Sequence, residues 1–213
     1  VSVKPGIGRR KTVRPSGEDR VRAIMATAEQ LLGERAFADI SVDDLARGAG
    51  ISRPTFYFYF SSKEEVLFAL AQQIVDAANA NVEEIDPAGM ADPAAVWRAR
   101  IVAYFNAFGA HRSLTVALSG VQGSVPELDQ RWSEVVEGWV RTTASNIDAE
   151  RARGAAPTTL PSRDLAVALL GANQAAMQSA FIGRQPALSD DTVVDTLVHV
   201  WLGTIYSEGV ANG

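Results

Sequence analysis

The chain has 213 residues, enough for one large domain or for a small one joined to a larger one. It has no cysteine, which excludes disulfides, thiolate metal sites and cysteine nucleophiles, and its two histidines, His111 and His199, are too far apart to suggest a metal site. The net charge of −5 speaks against a nucleic-acid partner until its distribution is read: residues 1–64 carry 11 basic and 8 acidic side chains, leaving −8 on residues 65–213.

Residues 1–17 hold Lys4, Arg9, Arg10, Lys11 and Arg14 among Gly and Pro with no apolar period, and read as a flexible basic arm. This start lacks the apolar core and cleavage site of a secretory signal, so the expected location is cytoplasmic. A first helix follows, with Val21, Ile24, Met25, Ala28, Leu31 and Leu32 on one face. Gly33 and Phe37-Ala38-Asp39 end it and lead into two short helices. Ser61 with Glu64 predicts a capping box for a long helix running to about Glu84. Asp86-Pro87-Ala88-Gly89 breaks that helix, and the next runs from about Ala94 to Ala110 with Trp97, Ile101, Tyr104, Phe105 and Phe108. A shorter one is expected over Leu114–Leu118, then a long one from Pro126 to about Arg153. Two final helices, about Arg163–Ile182 and Ser189–Glu208, are apolar nearly all round. Leu165–Gly183 has no charged residue, yet its alanines, Asn173, Gln174 and Gln178 make it a poor lipid-facing span, and no membrane is expected. The class is all-α with about nine helices and no useful strand pattern.

The most informative stretch is SVDDLARGAGISRPTFYFYFSSKE, residues 41–64. Ser41 caps a helix with Asp44 three residues on, and Gly48 and Gly50 break it. Ser52 caps a second, very short helix, whose first turn tolerates Pro54 because its N–H groups have no helical partner. Two helices joined by such a turn place the second in a DNA major groove. The aromatic run divides by direction. Phe56, Tyr59 and Phe60 share an i, i+3, i+4 face that can anchor the helix, whereas Tyr57 and Phe58 point outward beside Arg53, Thr55 and Lys63.

This stretch resembles the DNA-binding signature of the tetracycline-repressor family of bacterial transcriptional regulators. The matching residues are Ser41 to Ala46, Ala49 to Ser52, Thr55 to Tyr57, and Tyr59 to Glu64. The resemblance implies a basic arm (1–17), a helix-turn-helix domain (18–64) and a ligand-binding and dimerisation domain (65–213). Arg53, Pro54 and Thr55 open the recognition helix, where Arg53 can pair with guanine and Thr55 with a base edge, at about 1–3 kcal/mol for a good bidentate pair. Tyr57, Phe58, Tyr59 and Lys63 match the family's backbone-contacting positions, with Ser41 and Ser52 as caps beside the phosphates. Phe58 stands where the family often has a polar residue, and the spacing gives Tyr59 a second reading as core. The family generally dimerises through its last two helices, packed as a four-helix bundle, in interfaces of over ~2,000 Å².

The second constellation is aromatic. Trp97, Tyr104 and Phe108 share one helix face, and Trp132, Val136, Trp139 and Thr143 another. Packed core is the plain reading of any one of them. Together with Asn173, Gln178 and Trp201, in the regulatory part of a ligand-responsive family, they outline an elongated apolar cavity for a small hydrophobic effector. Asn173 is equally suited to orient that ligand or to bond across a dimer contact.

No G-x-S-x-G elbow, H-E-x-x-H or Walker loop occurs, and His111 near Ser113 lacks a third partner, so no enzyme, catalytic residue, cofactor or metal is expected. The leading expectation is a homodimeric repressor on double-stranded operator DNA, released by that effector. Its two recognition helices would meet half-sites a helical turn apart, ~34 Å, or a multiple of it. The alternative is a DNA-binding regulator, activators included, without a physiological small molecule.

Overall fold

A computed structural model describes residues 15–85, 92–157, 160–183 and 185–207. Among the described residues all regular structure is helical: nine α-helices, one 3-10 turn and no strand. Most of the expected arm, the Asp86–Gly89 break and the chain beyond Ser207 lie outside those residues.

Helix α1 (Gly17–Glu34) begins at a capping box, Ser16 Oγ accepting from the Asp19 N–H and the Asp19 carboxylate from the Ser16 N–H. A 3-10 turn (Phe37–Asp39) leads to α2 (Val42–Gly48) and the single turn α3 (Arg53–Phe56). The Ser41–Asp44 box is formed as expected. Gly50 lies in the left-handed region at φ +67°, which lets the Ile51 N–H return to the Ala46 carbonyl at 2.9 Å and close α2. Gly48 is held small by its neighbour, since a Cβ there would stand 2.2 Å from Thr27 Cγ2.

Helix α4 (Lys63–Glu83) is capped one residue later than the Ser61–Glu64 pair predicts. Ser62 Oγ accepts from the Glu65 N–H, and the Glu65 carboxylate takes the Ser61 N–H at 3.0 Å. Then come α5 (Pro93–Ala110), α6 (Arg112–Val121), α7 (Pro126–Ala152), α8 (Ser162–Ile182) and α9 (Asp190–Tyr206). α6 spans ten residues, twice the expected length, starting directly after His111 and running three residues past Leu118.

Two apolar cores organise the fold. The first joins α1, α2 and α3 to the start of α4, with Ile24, Leu45, Phe56 and Val66 all essentially inaccessible. It does not close at residue 64, because Leu67 and Leu70 of α4 and Leu114 and Ala117 of α6 belong to it. The second lies among α5, α7, α8 and α9 around Trp97, Ile147, Leu169, Val193 and Trp201. α4 touches α1, α5 and α6, so it runs from one core to the other.

By length and composition α8 alone among the described helices could cross a membrane. It is packed against α6, α7 and α9 and carries Asn173 and Gln174 at its middle, which makes it a helix of the bundle. Its outward face is nonetheless apolar and small: Val167 is 50% exposed, and a Cβ on Gly171 would meet open space. Val200 and Gly203 present a similar face on α9.

Candidate nucleic-acid interface and ligand cavity

The recognition turn stands on an aromatic footing. Phe56 is fully buried and Phe60 nearly so, their ring centroids 6.0 Å apart. Tyr59 is half-buried, its hydroxyl accepting from Arg20 Nη1 at 3.1 Å, so it ties α3 to α1 and remains near the surface. Tyr57 and Phe58 point outward, Phe58 82% exposed. Ser52 Oγ accepts from the Thr55 N–H and contacts Thr55 Oγ1 at 2.8 Å, capping α3 with both side chains at the surface. Arg53 and Pro54 are exposed beside them.

Arg53 is already oriented. Its Nη1 donates to Asp43 Oδ2 at 2.7 Å and its Nη2 to the Tyr57 hydroxyl at 3.3 Å. Those two partners, Tyr57 foremost, raise its already high pKa and keep it cationic. Both members of the pair with Asp43 are about half exposed, so the ion pair contributes little stability and exchanges readily for another acceptor. Ser41 Oγ donates to Asp44 Oδ2 at 2.7 Å and stays exposed.

Lys63 has a job that spacing did not suggest. Its Nζ donates to the carbonyls of Phe37, Ile40 and Ala38 at 2.9, 2.8 and 3.4 Å and lies 4.5 Å from the Phe37 ring centroid. An ammonium has three protons, and these acceptors commit all of them. Lys63 therefore braces the start of α4 against the turn before α2.

The aromatic side chains gather around two adjoining cavities. The smaller, about 120 Å³, is walled by Phe108, Trp132, Val136, Met177, Gln178 and Phe181 with α6 residues Thr115, Leu118 and Ser119. The larger, about 630 Å³, is walled by Trp97, Arg100, Thr143, Asn146 and Trp201. Tyr104, Trp139, Leu170 and Asn173 line both. All ten side chains singled out from the sequence border one cavity or the other. They do not form one wall: Trp97, Thr143 and Trp201 belong to the larger space only.

Their polar groups are largely paired within the protein. Tyr104 Oη donates to Asn79 Oδ1 at 2.7 Å, and Trp139 Nε1 reaches the same oxygen at 3.2 Å. Burial pushes the Tyr104 phenol up to about 12, so it stays neutral at physiological pH. Asn173 Oδ1 accepts from Trp201 Nε1 at 2.9 Å, a bond within one chain. Trp97 is buried against Trp201 and donates to the Tyr206 hydroxyl at 3.0 Å, so it is as much core as wall. Two buried donors among the described residues lack a partner, Trp132 Nε1 and Arg100 Nε, and both side chains border these cavities.

Sequence reasoning missed Arg100 and Asn79. Arg100 carried a usable signal: with Trp97, Tyr104 and Phe108 it repeats at three and four residues on α5, which places a cation in an aromatic stripe. Asn79 had none, since nothing along the chain marks it as the acceptor between two helices. His111 pairs with Glu29 of α1 at 2.6 Å near the surface, and His199 is exposed on α9.

A capped helix, a glycine turn and an anchored recognition turn, joined to a helical bundle with an aromatic cavity, define a helix-turn-helix regulator. The model described as "Bacterial regulatory proteins, tetR family" matches residues 24–70, and "Transcriptional regulator EthR, C-terminal domain" matches residues 97–207. The chain belongs to the tetR family of DNA-binding transcriptional regulators, which are not enzymes, and its C-terminal part is of the EthR type. It is 48% identical over 201 residues, 93% of each chain, to the HTH-type transcriptional regulator EthR of Mycobacterium tuberculosis. It is 46% identical to EthR of Mycolicibacterium smegmatis, over 92% of this chain and 91% of that one. Among solved structures, a putative TetR-family regulator from Syntrophomonas wolfei superposes with a TM-score of 0.75 at 17% identity, covering 92% of this chain and all of that one.

Proposed function

We propose that the protein is a homodimeric repressor that reads an operator through α3 and leaves it when a small hydrophobic effector fills the cavity. The observation that carries this reading is the placement of α6. Its Leu114 and Ala117 are buried in the core that seats the recognition turn, and its Thr115, Leu118 and Ser119 border the apolar cavity. A ligand that wedges this helix shifts both α6 and α4, and so re-aims α3. The effector acts only through its tighter binding to the conformer that fits DNA poorly.

On DNA, Arg53, Pro54 and Thr55 meet base edges, while Tyr57, Phe58 and the Ser41 and Ser52 caps lie along the backbone. Tyr59 and Lys63 contribute by fixing the geometry, as their internal bonds indicate. The outward faces of α8 and α9, with Val167, Gly171, Val200 and Gly203 uncovered, support pairing with a second copy as a four-helix bundle. The arm of residues 1–17 adds counter-charge along the phosphates.

Operator affinity should fall by roughly tenfold or more when salt rises from about 50 to 200 mM, because phosphate contacts release counterions. Anisotropy titrations at several salt concentrations measure it. An affinity that does not depend on salt would remove phosphate contact as the source of binding.

A further inference from the structure

The larger cavity contains a cation that neither DNA reading nor apolar ligand binding uses. Arg100 projects from α5 into the wall of that space, its guanidinium 5.1 Å from the Trp97 ring centroid. Its only hydrogen bond among the described residues is a long one, Nη2 to Asn146 Oδ1 at 3.4 Å, and its Nε is buried without a partner. Arginine offers five donors, so most of this fork is unused.

No carboxylate among the described residues forms an ion pair with it. Glu150, the acid whose charge acts on it most, accepts from the Tyr206 hydroxyl at 2.8 Å and pairs with Arg153. Burial pulls the Arg100 pKa below its ordinary value, and the pull of Glu150 offsets part of that effect. An arginine nevertheless stays charged, so the protein holds a half-buried cation against an open space with no carboxylate among the described residues in contact with it.

We infer that the larger cavity takes the carboxylate of an amphiphile, a medium- or long-chain monocarboxylic acid, with Arg100 as its counter-ion. The chain of that acid passes between Tyr104, Trp139, Leu170 and Asn173, the side chains common to both cavities, into the apolar space beside Phe108 and Met177. A planar fork matches a carboxylate in two parallel bonds. The wall favours a monoanion: its other arginine, Arg141, lies by Glu137 at 3.9 Å, and Glu83 and Glu134 on the same wall repel a second negative charge. Tyr104 is neutral and adds no charge of its own. This assignment rests on the ligand-responsive reading above and names the class of its ligand.

The test compares decanoate with 1-decanol, equal in chain and different in charge, by calorimetry on the full-length wild type, Arg100→Gln and Arg100→Lys. Wild type should bind decanoate roughly 10- to 100-fold more tightly than decanol, the size of a charge-assisted pair in a buried site. Arg100→Gln should erase that preference while keeping the helical circular dichroism of the wild type, which shows the variant is folded, and Arg100→Lys should restore part of it. Equal binding of the two ligands by wild type would overturn the assignment without any variant, and so would a carboxylate preference that survives in Arg100→Gln. Operator release separates the two readings. If decanoate binds through Arg100 but leaves the operator complex intact, the carboxylate site stands and the effector reading falls. If decanol releases the operator at the same concentration as decanoate, in wild type and in Arg100→Gln alike, the effector reading stands and the carboxylate site falls.

Discussion

Phe56→Ala should destabilise the protein by about 3–5 kcal/mol and abolish operator binding at temperatures where the wild type still binds. Phe56 has no exposed surface, meets the Tyr57 ring edge-on at 5.6 Å and sits in the core shared by α1, α2 and α4. α3 is one turn long, and so short a helix has no stability of its own in water. Burial of Phe56 and Phe60 does most to keep it in place, beside the Ser52 cap and the Arg20–Tyr59 bond. The loss therefore falls on the recognition turn first, with the C-terminal core of Trp97 and Trp201 untouched. Urea unfolding with probes in both halves measures it, and a stability within about 1 kcal/mol of wild type would show that the anchor lies elsewhere.

Arg53→Ala should do the opposite, sparing stability and removing recognition. The pair it makes with Asp43 is half exposed and screened by solvent, so its loss costs little stability. Specific affinity should fall by roughly 10- to 100-fold for each half-site, the range of one good bidentate contact to guanine. Affinity for a scrambled duplex should change far less. Parallel titrations on operator and scrambled DNA decide the matter: an equal loss on both would make Arg53 a phosphate contact with no reading role.

The helix-turn-helix was legible because its signals are local. The Ser41–Asp44 box, the Gly50 turn and Pro54 at the head of α3 each act within six residues, and each appears where spacing put it. The aromatic run could be divided by helical period alone, burying Phe56 and Phe60 and exposing Phe58. The cap of α4 slipped by a residue because Ser61-Ser62 and Glu64-Glu65 offer two registers of one motif, and local sequence does not choose between them.

Contacts across the fold were hidden. Lys63 reads as a surface cation in any linear inspection, and only the folded chain brings the Phe37, Ala38 and Ile40 carbonyls to it. The aromatic positions were readable as a group, but not the division of their space into two cavities. Tyr104 and Trp139, which line both, converge on Asn79, so side chains from three different helices meet there. Arg100 reads along the chain as an ordinary solvated helix charge, and only its place in the aromatic stripe of α5 sets it apart.

The central claim is that filling the cavity weakens operator binding, and one titration tests it most directly. Operator affinity is measured by anisotropy for wild type and for Val136→Trp, whose larger ring occupies the smaller cavity, with and without a saturating amphiphile shown by calorimetry to bind the wild type. Wild type should lose at least about tenfold in affinity, equivalent to about 1.4 kcal/mol of preference for the conformer that fits DNA poorly. Val136→Trp should not respond to the ligand. A wild type saturated with bound ligand that holds its operator as tightly as before would contradict the account.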